Sequence, residues 1–207
     1  MSVATVVTQK GATRHAVYEL RQFLYQAGRA YGVLQTDQEP AVLDLARALL
    51  KEIPGLSMRA SPTYNSQSLG AAERYHQSLH AQARTLRLHV HNKYGTVLLS
   101  THAVFPWLIR RASWLLSRYL VHSDGLTSYQ RRWGRNFESG LCEFAETVQY
   151  RDTGKQTAKL TLVWELGLWL GRDTLANEVL VATPTGVKLV RSVRRLVPSE
   201  KCSKALA

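Results

Sequence analysis

A chain of 207 residues, 45% hydrophobic and 20% charged, can bury a core in one or two domains and is too apolar for wholesale disorder. Its 27 Lys and Arg outweigh 15 Asp and Glu for a net charge of +12, which points to a polyanionic partner, nucleic acid ahead of an anionic membrane surface. Only Cys142 and Cys202 occur, which excludes a disulfide framework and a four-cysteine zinc site and suits a reducing, intracellular setting.

Residues 3–8 are a β-branched run bounded by Lys10 and Gly11 and predict a first strand. Val17, Leu20, Leu24 and Ala27, spaced by three and four, predict an amphipathic helix over residues 13–30. The apolar run at residues 31–37 predicts a buried strand closed by Asp37. Pro40 opens a second helix through Leu50, at a position where its missing N–H is least costly. Residues 56–60 predict a short strand. Strands alternating with helices imply a parallel α/β sheet, whose ligands bind beyond the carboxyl ends of the strands, where Asp37 lies.

Residues 61–70 read as a loop rich in Ser, Asn, Pro and Gly, and a strongly helical stretch follows. On that helix Leu79, Ala83, Leu86 and Val90 fall on one side. Glu73, Gln77, His80, Arg84 and Arg87 fall on another, stepping by three and four. An ordinary solvated helix face would show the same pattern. The next helix, from Phe105 to Val121, has a broad apolar stripe, and its Arg110, Arg111 and Arg118 make a bilayer span too costly. With no apolar leader at the N-terminus either, a soluble chain is expected. Residues 128–134 predict one or two helical turns, with Trp133 open to a role outside the core. Beyond Gly140 the texture becomes short β runs at residues 141–150, 160–170, 178–182 and 187–196, which predict a small barrel or curled antiparallel sheet. Arg191, Arg194 and Arg195 make it basic. Two regions follow, residues 1–136 and 137–207.

Thirty-five residues separate the strand-end Asp37 from the helix-borne Glu73. That spacing, with Gln35-Thr-Asp-Gln-Glu-Pro40 and Asn65-Ser-Gln-Ser-Leu-Gly-Ala-Ala-Glu-Arg74 around the two acids, resembles the second half of the D,D(35)E signature of retroviral and retrotransposon integrases. Asp124-Gly-Leu-Thr-Ser-Tyr-Gln-Arg-Arg-Trp-Gly134 and Trp164-Glu-Leu-Gly-Leu-Trp-Leu-Gly171 are similar to segments downstream of the core in copia-type polyproteins. The resemblance implies an α/β, ribonuclease-H-like core that lacks its N-terminal strands, followed by the small β-rich, barrel-like domain. It also implies DNA strand transfer, in which Mg²⁺ or Mn²⁺ ions activate a hydroxyl and stabilise the leaving oxygen. By position Asp37 and Glu73 would each complete one ion as catalytic metal ligands. The first acid, which bridges both ions in that family, has no counterpart here, and Glu19, Glu39 and Asp44 offer no obvious substitute.

Nucleic-acid contacts are expected from Gln77, His80, Arg84 and Arg87 on the helix and from Arg191, Arg194 and Arg195 near the end of the chain. Of the 27 basic residues 19 are Arg, whose planar fork suits phosphate. DNA is the expected partner, RNA and a second copy of the chain are further candidates, and the nucleus stands ahead of the cytoplasm. Three functional readings stay open. The chain could be an integrase-derived binding protein incomplete as a catalyst, or an enzyme that borrows its missing acid. It could also be a non-enzymatic basic module for RNA or chromatin, with Asp37 and Glu73 incidental. Glu73, His76 and His80 have a spacing that could hold zinc, though a further ligand would be needed.

Overall fold

Helices and strands alternate through the first half of the chain and strands dominate the second, in a computed structural model that describes residues 1–61, 70–151 and 163–203. Two compact units emerge, Met1–Ala81 with Ser113–Asn136, and Gln82–Ala112 with Phe137–Ala207.

In the first unit, helix α1 (Arg14–Gln26) starts where the Thr13 hydroxyl accepts the Ala16 N–H at 3.2 Å. Strand β1 (Gly32–Thr36), helix α2 (Pro40–Glu52) and strand β2 (Leu56–Ala60) follow. β1 and β2 pair in parallel, from Gly32 opposite Leu56 to Thr36 opposite Ala60, as the alternation predicted. Such a pair needs a crossover, and α2 supplies it, burying Ala46 and Leu49. The expected first strand is absent: residues 3–8 form no ladder, and the segment is tied down instead by Ser2, whose N–H and carbonyl both bond the Ser117 hydroxyl. β-branched composition favours extended backbone, but only a partner makes it a strand. Helix α3 (Gly70–Tyr94) and helix α4 (Phe105–Tyr119) each begin in one unit and end in the other. Helix α5 (Ser128–Trp133) closes the first unit with a reciprocal capping box between Thr127 and Gln130.

The second unit holds strands β3 (Thr147–Arg151), β4 (Trp164–Arg172), β5 (Val179–Thr183), β6 (Gly186–Val190) and β7 (Val193–Arg195). They form one antiparallel sheet in the order β6-β5-β4-β3-β7. Val148, Tyr150, Trp169, Val179, Val181 and Val190 build its core. Two expectations are corrected. The run at 187–196 is two strands: after Val190 the chain leaves β5 and returns to the other side of β3, where Val148 faces Arg195. The run at 141–150 becomes a strand only from Thr147, because Ala145 adopts a left-handed φ of 64° and its carbonyl accepts the Tyr94 hydroxyl. Among the described residues no helix is long and apolar enough to cross a membrane.

Candidate functional site

Asp37 follows the last residue of β1 and is exposed. Its carboxylate accepts the Glu39 N–H at 3.2 Å, an Asx turn that leads the chain into α2. The strand end beside it is cross-tied: Ser61 N–H donates to the Thr36 carbonyl at 2.8 Å, and the Gln38 amide donates to the Ser61 carbonyl at 3.0 Å. Buried Ser61 thus anchors the end of β2 against the residues flanking Asp37. The Asn65–Leu69 part of the acidic motif lies outside the described residues.

Glu73 occupies the first turn of α3, where the exposed N–H groups favour an anion. It is exposed, as are Gln77, His80, Arg84 and Arg87, so the polar ridge lies where the three–four spacing put it. An adjoining side of α3 buries Ala83, Val90 and Tyr94. In the first unit Tyr75 docks the helix, its hydroxyl donating to Ser113 at 2.8 Å. Farther along, the Arg87 Nε–H donates to the Leu98 carbonyl at 2.8 Å, which ties down its guanidinium and leaves Arg84 as the freer projection.

The other basic positions have different surroundings. Arg191 meets Glu178 at 3.2 Å and is 82% exposed. The Arg194 guanidinium lies over the Trp164 ring, 4.1 Å from its centre, and the residue is exposed. Arg195 holds buried Glu146 with two bonds of 2.7 and 2.8 Å.

The early acids are engaged elsewhere. Glu39 pairs with Lys10 at 2.8 Å, and Asp44 with Arg47 at 3.0 Å. Among the described residues no three His, Cys, Asp or Glu side chains come together to hold a metal ion, so His76 and His80 gain no further ligand there. Asp37 and Glu73 carry the hard carboxylate oxygens that Mg²⁺ prefers. An apolar cavity of about 440 Å³ in the second unit, lined by Val90, Tyr94, Leu98, Phe144 and Leu168, includes none of these positions.

Sequence reasoning passed over one grouping. Arg29, Arg131 and Arg132 converge in the first unit although about a hundred residues separate Arg29 from the other two. The adjacent Arg131-Arg132-Trp133 was the only signal in the sequence.

No family model matches the chain, and no curated protein matches it. Among solved structures, it is similar to a chain in the cryoEM structure of the simian T-cell lymphotropic virus intasome in complex with PP2A regulatory subunit B56 gamma. The identity is 17% and the TM-score 0.43, over 93% of this chain and 67% of that one. A likeness at that score is too loose to assign a fold.

Proposed function

We propose that this chain is an integrase-derived, nucleic-acid-binding protein of retrotransposon origin that is incomplete as a catalyst. The observation that carries the reading is the placement of the two acids. Asp37 follows the carboxyl end of a parallel strand and Glu73 sits in the first turn of α3, at the spacing of the integrase signature. The α/β first unit corresponds in this reading to the later part of a ribonuclease-H-like core. The second unit corresponds in this reading to the small β-rich, barrel-like domain, its described strands forming one antiparallel sheet edged by β6 and β7. DNA would lie along the basic ridge of α3 and, separately, on the Arg191 and Arg194 surface, bound through phosphate with little sequence preference.

Mg²⁺ or Mn²⁺, once a further acid completed the site, would supply the charge that activates a hydroxyl and steadies a leaving oxygen. Asp37 and Glu73 would then be its ligands in this chain. Alone they do not suffice, so the purified chain should neither cut nor join DNA in either metal, while retaining salt-sensitive DNA binding. The test is a strand-cleavage and joining assay with a filter-binding control. Metal-dependent turnover that Asp37→Asn abolishes would show a complete enzyme, and absence of DNA binding would remove the reading altogether.

A further inference from the structure

The unassigned arginines of the first unit frame a cavity of about 340 Å³ floored by Phe23 and Leu24. Arg29, Arg131 and Arg132 line it, with the Ser128 hydroxyl, which also bonds His122 at 2.9 Å. One carboxylate answers these three cations. Asp124 meets Arg131 at 2.7 and 2.9 Å and neutralises it, whereas neither Arg29 nor Arg132 has a carboxylate partner among the described residues.

Arg132 is held firmly. Its Nε donates to the Gln26 carbonyl at 2.6 Å, at the negative end of α1, where a cation is favoured. Gly28 turns the chain away there with φ 69°, and a Cβ on it would stand 3.3 Å from the Arg132 guanidinium carbon. The guanidinium therefore lies flat against the helix end. Its carbon lies over one face of the Trp133 ring, 4.9 Å from the centre, and Trp133 is still 45% exposed.

We propose that this cavity receives a phosphate of single-stranded nucleic acid, with the adjoining base stacked on Trp133. The proposal deepens the nucleic-acid reading above and rests on it. Two cations without carboxylate partners attract phosphate, and a cavity of this size admits one phosphate and its sugar rather than the width of a duplex. An exposed aromatic face binds a base only when that base has left its own stack, which single strands allow and duplexes do not.

The 207-residue chain with Arg29→Gln, Trp133→Leu or Trp133→Tyr would be titrated against a labelled thymidine oligonucleotide, a duplex of equal length and inorganic phosphate. Trp133→Leu should weaken oligonucleotide binding roughly five- to hundredfold, the range that loss of one base stack carries, with Trp133→Tyr keeping most of the affinity. Arg29→Gln should lower the salt slope on the single strand by about one contact, and duplex binding should change little in all three. Both positions are exposed, so circular dichroism should be unaltered. Unchanged oligonucleotide binding in Trp133→Leu and Arg29→Gln, with duplex binding intact, would overturn the cavity proposal alone. Equal competition by inorganic phosphate would reassign the cavity to a free anion and overturn it too. A wild-type chain that binds neither nucleic acid would instead remove the parent reading.

Discussion

Arg195 donates two hydrogen bonds to a Glu146 side chain that is only 1% exposed, and Glu146 in turn accepts the Glu143 N–H at 3.0 Å. Burial by itself would push the Glu146 carboxyl upward, but the bonds from Arg195 and the Glu143 N–H outweigh it and hold the group below its ordinary range. A lowered folded-state value means that the unfolded chain binds the proton more tightly. The pair's stabilisation is therefore complete above the ordinary glutamate value, roughly pH 4, and is lost as pH falls through the lower folded value. Arg195→Ala would strand a buried carboxylate. It should cost about 2–3 kcal/mol at neutral pH, less than a fully buried pair because Arg195 is half in solvent, and the deficit should shrink in acid. Urea melts at neutral and acid pH measure both effects. A loss independent of pH would show that packing, not charge, is what Arg195 contributes.

At the scale of elements, β4 bears the heaviest packing in the second unit. Leu168, Trp169 and Leu170 are all buried along it, and a bulge between Trp169 and Gly171 shifts its register against β5. Gly167 sits where three strands crowd together. A Cβ there would meet the Val181 side chain at 2.4 Å and the Ala182 carbonyl at 2.8 Å, with Tyr150 behind. Gly167→Ala should therefore cost at least about 2 kcal/mol by overpacking, whereas Gly140→Ala, with nothing near its added methyl, should stay within roughly 0.5 kcal/mol. Chemical denaturation of the two variants is the comparison to make, and equal midpoints would contradict the close approach. Gly167 of the Trp164–Gly171 motif is thus explained by the close approach of Val181 and Ala182, independent of any resemblance.

For the whole molecule, a net charge of +12 makes binding to a polyanion strongly dependent on salt. The cations are not equivalent, however. Arg87 and Arg195 are drawn into internal bonds, and Arg191 shares Glu178, while Arg84 on α3 and Arg194 on β7 are exposed. Replacing Arg84 and Arg194 together by Ala should reduce the slope of log affinity against log salt by about two on duplex DNA, with stability little changed. The same experiment on Arg195→Ala should show the reverse, lost stability with a nearly unchanged slope. If Arg84 and Arg194 leave the slope intact, the basic surface serves a partner other than nucleic acid.

The periodicities of the sequence determine the placement of α1, α3 and α4 and the outward ridge from Glu73 to Arg87, and Pro40 marks the start of α2 in the parallel β1-α2-β2 unit, because each depends on one local element. Asp37 at a strand end and Glu73 at a helix start are legible for the same reason. Partnership is what the sequence leaves open. Residues 3–8 have the composition of a strand and no ladder, residues 187–196 divide because β7 crosses to the edge of β3, and Gln82–Ala112 packs with strands that come much later in the chain. The meeting of Arg29 with Arg132, and of Arg195 with Glu146, is likewise decided only by tertiary structure. Local spacing fixes which way a side chain points from its own helix or strand; which distant group then satisfies its charge depends on how the elements pack, and burial of Glu146 makes that choice energetically strict.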